Sequence, residues 1–238
     1  MDFISGEIIA VDKPLGWTSF DAVKRVRGAI QRRLNVKKFK VGHAGTLDPL
    51  ATGVLIICTG RATRDIERLQ NGSKEYIATI KFGATTPSFD LETEIDQTFP
   101  YEHITKDLIR EILPRFTGCI MQIPPIYSAV KIDGKRAYKY ARNGKEVELK
   151  AKPLVIEKLE LLSASLPEIK LRIVCSKGTY IRALTRDLGE ALGSGAHLTA
   201  LCRTRVGDFS INECLSIDEA VKKISDCELS FPPEFKLP

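Results

Sequence analysis

The pattern of apolar and polar positions divides most of the chain into short strands and amphipathic helices. Gly6 to Val11 predicts a strand, ended by Asp12-Lys13-Pro14. Thr18 or Ser19 is an N-cap residue type, and Phe20, Val23, Val26, Ile30 and Leu34 follow at the spacing of one helix face. Gly42 to Gly53 reads as a glycine-rich loop holding Pro49, and Val54 to Cys58 as a buried strand. A short helix is expected over Ala62 to Leu69 and a strand over Tyr76 to Phe82. Thr105 to Phe116 reads as helix, with its end disturbed by Pro114, which lacks a backbone donor. Tyr127 to Ile132 predicts a strand and Arg136 to Arg142 a short helix. Leu154 to Ser163 and Ile169 to Cys175 predict two further strands. In the second, Ile169, Leu171, Ile173 and Cys175 share one face while Lys170 and Arg172 share the other. Thr179 is expected to cap a helix whose stripe is Ile181, Leu184, Leu188 and Leu192.

Strands and helices do not alternate strictly, and neighbouring strands lie close enough in sequence to pair antiparallel. The class that follows is α+β, with a mixed or antiparallel central sheet. The sequence carries no internal repeat. The tail from Ser230, with Pro232, Pro233 and Pro238, is expected to run over the surface.

Composition narrows the setting. The chain has 238 residues, 43% hydrophobic and 28% charged, which are globular values. No apolar run approaches the ~20 residues of a membrane helix. Asp2 and Glu7 break the plan of a signal peptide, so a cytoplasmic protein is expected. Cys58, Cys119, Cys175, Cys202, Cys214 and Cys227 are scattered, without CxxC or zinc spacing, and read as reduced thiols rather than disulfides or metal ligands. The net charge is +6. Lys24, Arg25, Arg27, Arg32, Arg33, Lys37, Lys38 and Lys40 crowd one stretch with no acid among them. Such a run is either a solvated helix face or a phosphate-binding surface. Mutual repulsion favours the second.

The candidate chemistry begins in Gly42-His43-Ala44-Gly45-Thr46-Leu47-Asp48-Pro49-Leu50-Ala51-Thr52-Gly53, which is neither a Walker loop nor GxGxxG. By itself Asp48-Pro49 is a turn former. Its surroundings point further, because Asp48 is the only acid between Asp21 and Asp65 and follows the basic stretch closely. A lone carboxylate in a positive field is a poor choice for an RNA-binding surface unless it reacts. His43 has no acid or cysteine spaced to make a triad or a ligand set. Arg182 and Arg186, one turn apart and off the apolar stripe, are either helix surface or, for Arg182 after a Gly-Thr-Tyr corner, a side chain reaching into a cleft. Tyr76 and Tyr180 are either packed aromatics or base stackers.

At these residues the chain resembles the TruB family of tRNA pseudouridine synthases. The loop around Asp48 is similar to the family's signature motif, and Asp12-Lys13-Pro14-Leu15-Gly16-Trp17-Thr18-Ser19 to its N-terminal motif. Gln122-Ile123-Pro124-Pro125-Ile126-Tyr127-Ser128-Ala129-Val130-Lys131 resembles a third block. Gly178-Thr179-Tyr180-Ile181-Arg182, with Asp187-Leu188-Gly189 and Gly195-Ala196-His197-Leu198, resembles a fourth, so the likeness runs from about residue 6 to 210. It implies a pseudouridine-synthase fold with a catalytic cleft across the sheet. It also implies Asp48 as catalytic aspartate, Arg182 as the arginine pairing with it, and Tyr76 stacking on the target base. Tyr180 and Leu201 would line the base pocket, and His43 would contact the T-loop. The implied substrate is the T-loop uridine at tRNA position 55.

Pseudouridylation breaks the N1–C1′ bond, turns the uracil and joins C5 to C1′. An isomerisation needs neither a redox cofactor nor an energy source, so no cofactor and no metal are expected. The chain departs from the family pattern at Arg64, where lysine is usual and a phosphate contact would survive, and at Cys202, which replaces the first of two arginines, so that one positive contact is lost while Arg203 remains. Residues 1–210 are read as the catalytic domain. Residues 211–238 are read as a short helix and tail in place of a PUA domain, rich in acids at Glu213, Asp218, Glu219, Asp226 and Glu228. A monomer that meets tRNA at its T-arm, with no membrane and no metal, is the expectation. Two rivals stay open: a non-catalytic RNA-folding module, and a subunit working with a guide RNA.

Overall fold

The computed structural model describes residues 1–128, 131–132, 135–137, 140 and 149–231. The chain forms two compact units, Met1–Glu75 with Cys202–Pro238, and Tyr76–Leu201. Strands β4 (Lys74–Phe82) and β12 (Ala196–Val206) carry the chain from one unit into the other.

In the first unit, β1 (Ile8–Lys13) pairs antiparallel with β3 (Ala51–Thr59) from Ile8↔Cys58 to Lys13↔Gly53, two residues beyond the predicted end. The short β2 (Val41–His43) pairs with the end of β3, so the predicted loop is bounded by strand at both ends. The short β14 (Leu215–Ser216) lies parallel to β1, and β13 (Phe209–Ser210) folds back on β12. Successive β3 side chains point to opposite faces. Leu55 and Ile57 pack with Val11, Ala22, Val26 and Ile30, while Val54, Ile56 and Cys58 pack with Ala44 and Val206. A strand buried on both faces reads as an unbroken apolar run, which is why Val54 to Cys58 shows no alternation.

Helix α1 (Ser19–Leu34) starts at a capping box: the Thr18 hydroxyl accepts from the Asp21 amide, and the Asp21 carboxylate accepts from the Thr18 amide. Its buried face is Ala22, Val23, Val26, Ala29, Ile30 and Leu34. Phe20, assigned to that face by spacing, is 59% exposed, with the Arg27 guanidinium 5.7 Å from its ring centroid. Ile217, Ala220 and Ile224 of α5 (Ile217–Asp226) pack against that buried face. Each aliphatic side chain so buried contributes ~1.5–3 kcal/mol. The predicted helix at Ala62 to Leu69 is a 3-10 turn, Gly60–Asp65, running into α2 (Ile66–Asn71).

In the second unit, α3 (Lys106–Ile112) is capped by Thr105 and ends in a 3-10 turn holding Pro114. The hairpin β5 (Ala84–Thr85) with β6 (Gln97–Thr98) and the strand β7 (Gly118–Gln122) carry no clear periodic signal, so the sequence pattern does not predict them. Strand β7 pairs antiparallel with β10 (Lys152–Ser165), which pairs antiparallel with β11 (Glu168–Cys175). The β11 alternation matches its pattern. Ile169, Leu171, Ile173 and Cys175 are buried, and Arg172 reaches Glu160 across the ladder at 3.4 Å. Of the predicted strand over Tyr127 to Ile132, β8 (Lys131–Ile132) alone is strand, paired with β9 (Lys135–Arg136), and Ala129 and Val130 lie outside the described residues. Most of the helix expected over 136–142, and the tail 232–238, also lie outside them. Helix α4 (Ile181–Ala191) buries its predicted stripe, but Tyr180, not Thr179, occupies the cap position; the Thr179 hydroxyl donates to the Ser176 carbonyl instead.

The architecture is therefore α+β, with mostly antiparallel strand pairing. No helix among the described residues is long and apolar enough to cross a membrane.

Candidate active site

The Asp48 loop joins β2 to β3, and its backbone is held from three directions. Gly45 takes φ +95°, a left-handed conformation open to glycine at no steric cost, and turns the chain out of β2. Arg203 is 1% exposed; its Nε donates to the Val54 carbonyl at 2.8 Å, and its two terminal nitrogens donate to Thr46 at 3.4 Å and Gly45 at 3.2 Å. The Ser19 hydroxyl accepts from the Leu47 amide at 2.8 Å and donates to the Leu47 carbonyl at 3.1 Å. Ala51 N–H donates to the Asp48 carbonyl at 3.0 Å, closing the turn, and Gly16 N–H donates to the Pro49 carbonyl at 2.9 Å. Lys13 is fully buried, and its ammonium donates to Pro14, Trp17 and, at 3.5 Å, Pro49 carbonyls. Burial pushes its pKa down to about 8; the Arg203 charge acts in the same direction, against the pull of Asp48. Strand β3 closes tightly on this end: at Gly53, φ +104°, an added Cβ would sit 2.2 Å from the Arg203 carbonyl. Asp48 itself is half-buried, as is His43, whose pKa burial lowers so that the ring is neutral at pH 7.

Arg203, the one that remains of the family's two arginines, is thus a buried clamp on backbone carbonyls. A guanidinium presents five donors in a fixed fork, which suits carbonyls spaced along a turn.

The second unit carries Tyr76, Tyr180, Arg182 and Leu201. Tyr76 is 9% exposed on β4, and Tyr180 and Leu201 are half-buried. Arg182, in the first turn of α4, is 4% exposed. It donates to the Ser88 carbonyl at 3.1 Å and the Tyr127 carbonyl at 2.8 Å, and its Nε lies 3.5 Å from the Asp90 carboxylate. Asp90, buried and accepting from the Glu92 amide at 2.9 Å, was missed by sequence reading. No motif or periodic pattern marks it in the sequence, and only the tertiary contact distinguishes it from other loop acids. Phe89 holds φ +59°, a conformation that costs a Cβ-bearing residue of order 1–3 kcal/mol. That turn presents the Ser88 carbonyl and the Asp90 carboxylate to Arg182, while the Phe89 ring lies 5.2 Å from the Arg186 guanidinium. Gln122 fixes the other side. Its amide oxygen accepts from Tyr180 N–H at 2.9 Å and its amide nitrogen donates to the Tyr180 carbonyl at 3.2 Å, so the α4 entry is set by a buried amide.

Beside the Asp48 loop, α1 presents its basic face. Lys24, Arg27 and Arg32 line a groove of about 690 Å³ with Trp17 and Gly28, and these three cations form no ion pair among the described residues.

The chain is thus an α+β protein with a hydrogen-bonded aspartate loop in one unit and a buried arginine, Arg182, in the other. Solved structures share this architecture. A chain in the crystal structure of a Cbf5-Nop10-Gar1 complex matches with TM-score 0.69 and 31% identity over 93% of this chain and 55% of that one. A chain in the structure of an H/ACA RNP bound to a substrate RNA containing 2′-deoxyuridine matches with TM-score 0.64 and 28% identity, over 90% and 52%. This chain spans about half the length of those two.

The particular family follows from the sequence. Residues 31–181 match the TruB family pseudouridylate synthase N-terminal domain, and residues 182–226 the tRNA pseudouridylate synthase B C-terminal domain. The chain belongs to the TruB family of pseudouridylate synthases. It is 66% identical to the tRNA pseudouridine synthase B of Phocaeicola vulgatus, over 92% of this chain and 93% of that protein. It is 61% identical to that of Bacteroides fragilis, over 95% and 100%.

Proposed function

We propose that this chain isomerises the T-loop uridine at position 55 of tRNA to pseudouridine, with Asp48 as the catalytic carboxylate. The observation that carries the reading is the presentation of Asp48. A half-buried carboxylate sits on a loop whose backbone is tied down on every side, within a family of pseudouridylate synthases. A reacting group needs such fixation, because a misplacement of about 1 Å costs ~10²-fold in rate.

In this reading the target base leaves the stack, at a cost of a few kcal/mol. Stacking on the Tyr76 ring recovers ~1–3 kcal/mol of it. Tyr180 and Leu201 line the base pocket, His43 meets the T-loop with a neutral ring, and Arg182 is the cation of the reaction centre. The N1–C1′ bond breaks and the C5–C1′ bond forms; one proton leaves C5 and one is taken up at N1, so atoms balance without a co-reactant. The basic face of α1 contributes phosphate contacts, which position the RNA without reading its sequence. The protein would act as a cytoplasmic monomer.

The test is tritium release from tRNA labelled with [5-³H]uridine, with Asp48→Asn alongside. Release by the wild type alone supports the assignment. Binding of tRNA with no release by either protein would replace it with an RNA-folding role.

A further inference from the structure

Between Gly45 and Pro49 every carbonyl of the loop accepts a hydrogen bond from the protein. Gly45 and Thr46 are taken by Arg203, Leu47 by Ser19, Asp48 by the Ala51 amide, and Pro49 by Gly16 and Lys13. All of these donors but the Ala51 amide come from distant parts of the chain, at separations of 157 or 158 residues for Arg203, 36 for Lys13 and 28 for Ser19. Surface loops ordinarily leave such groups to solvent, and solvent does not fix a backbone. Ser19 is also more than an alternative helix cap. Thr18 fills that role, so the Ser19 hydroxyl, 3% exposed, is free to close a two-bond clamp on the residue preceding Asp48.

We infer that Ser19 and Arg203 are positioning residues for the Asp48 carboxylate. They hold the backbone on its N-terminal side and so fix the direction in which Cα–Cβ of Asp48 leaves the loop. The inference rests on the reading of Asp48 as the catalytic group. Neither side chain takes part in the chemistry, and their contribution is rate, not RNA affinity. Preorganisation of this kind depends on supporting hydrogen bonds that lock the reacting group before substrate arrives.

The experiment compares wild type, Ser19→Ala, Ser19→Thr, Arg203→Lys and Asp48→Asn. It measures the single-turnover rate of tritium release, the Kd for tRNA, and the thermal midpoint. Ser19→Ala is expected to slow release roughly 10- to 100-fold, on the scale of a sub-ångström to 1 Å misplacement, with Kd within about twofold. Ser19→Thr, which restores the hydroxyl, should recover most of the rate. Arg203→Lys keeps the buried charge but gives up the fork on Gly45 and Thr46. It should also lose about tenfold or more at unchanged Kd, and it decides the matter if Ser19→Ala does not fold. A Ser19→Ala rate within twofold of wild type overturns the inference. So does a loss carried wholly by Kd, or one no larger than the unfolded fraction accounts for. An inactive Asp48→Asn beside a fast Ser19→Ala rejects positioning alone, whereas an active Asp48→Asn rejects the underlying assignment.

Discussion

Replacing Asp90 by alanine removes the carboxylate that faces Arg182 in the second unit. Both side chains are almost fully buried, at 5% and 6% exposure, and the Nε–Oδ2 distance is 3.5 Å. Removing one member of a buried ion pair costs up to ~3–5 kcal/mol, because the survivor keeps its desolvation penalty and loses that carboxylate. Arg182 retains the Ser88 and Tyr127 carbonyls, at 3.1 and 2.8 Å, which places the expected loss at the lower end. The Glu92 amide also loses its acceptor on Asp90, adding about 1 kcal/mol. A net loss of about 3–4 kcal/mol follows, which for a chain of this length lowers Tm by roughly 6–16 °C. Asp90→Asn keeps the shape and an acceptor, and should cost clearly less. Urea titrations followed by circular dichroism measure both variants. An alanine variant within about 1 kcal/mol of wild type, or an asparagine variant as damaged as alanine, would refute the argument that the Asp90 carboxylate stabilises the buried Arg182.

Lys13 supplies a pH test. Its folded pKa is held at about 8 by burial, against 10.5 for a solvated lysine, so the unfolded chain binds more protons between those values and stability rises with pH through that window. The stability difference between wild type and Lys13→Met should shift in favour of wild type by about 1.6 kcal/mol from pH 8 to 9.5, the slope rising toward ~1.4 kcal/mol per pH unit as the folded lysine deprotonates; a pH-independent difference in urea titrations contradicts it. Reversing Lys24, Arg27 and Arg32 together to glutamate should weaken RNA binding and reduce the slope of log affinity against log salt by about 2–3, since each phosphate contact contributes ~0.7–0.9. Filter binding at several salt concentrations reads the slope, and an unchanged slope assigns these cations to a solvated face.

Local pattern decided more of the fold than of the site. The faces of α1, β11 and α4 were legible because amphipathic periodicity is a property of neighbouring residues. The signature around Asp48, and the candidates His43, Tyr76, Tyr180, Arg182 and Leu201, were legible as types and spacings. What sequence could not supply is how a polar residue is spent. Arg203 reads as one more cation in a basic chain, yet it lies buried on the carbonyls of Val54, Thr46 and Gly45, which are 149, 157 and 158 residues away. Asp90 reads as an ordinary loop acid, and becomes half of a buried pair only when Phe89 turns the chain toward α4. Phe20 satisfies the helical spacing of α1 yet stays outside, while Ile217, Ala220 and Ile224 from the far end of the chain pack against that face. Periodicity reports which side chains must leave water, whereas the partner that a buried charge or amide finds depends on contacts between distant segments, which exist only in the folded chain.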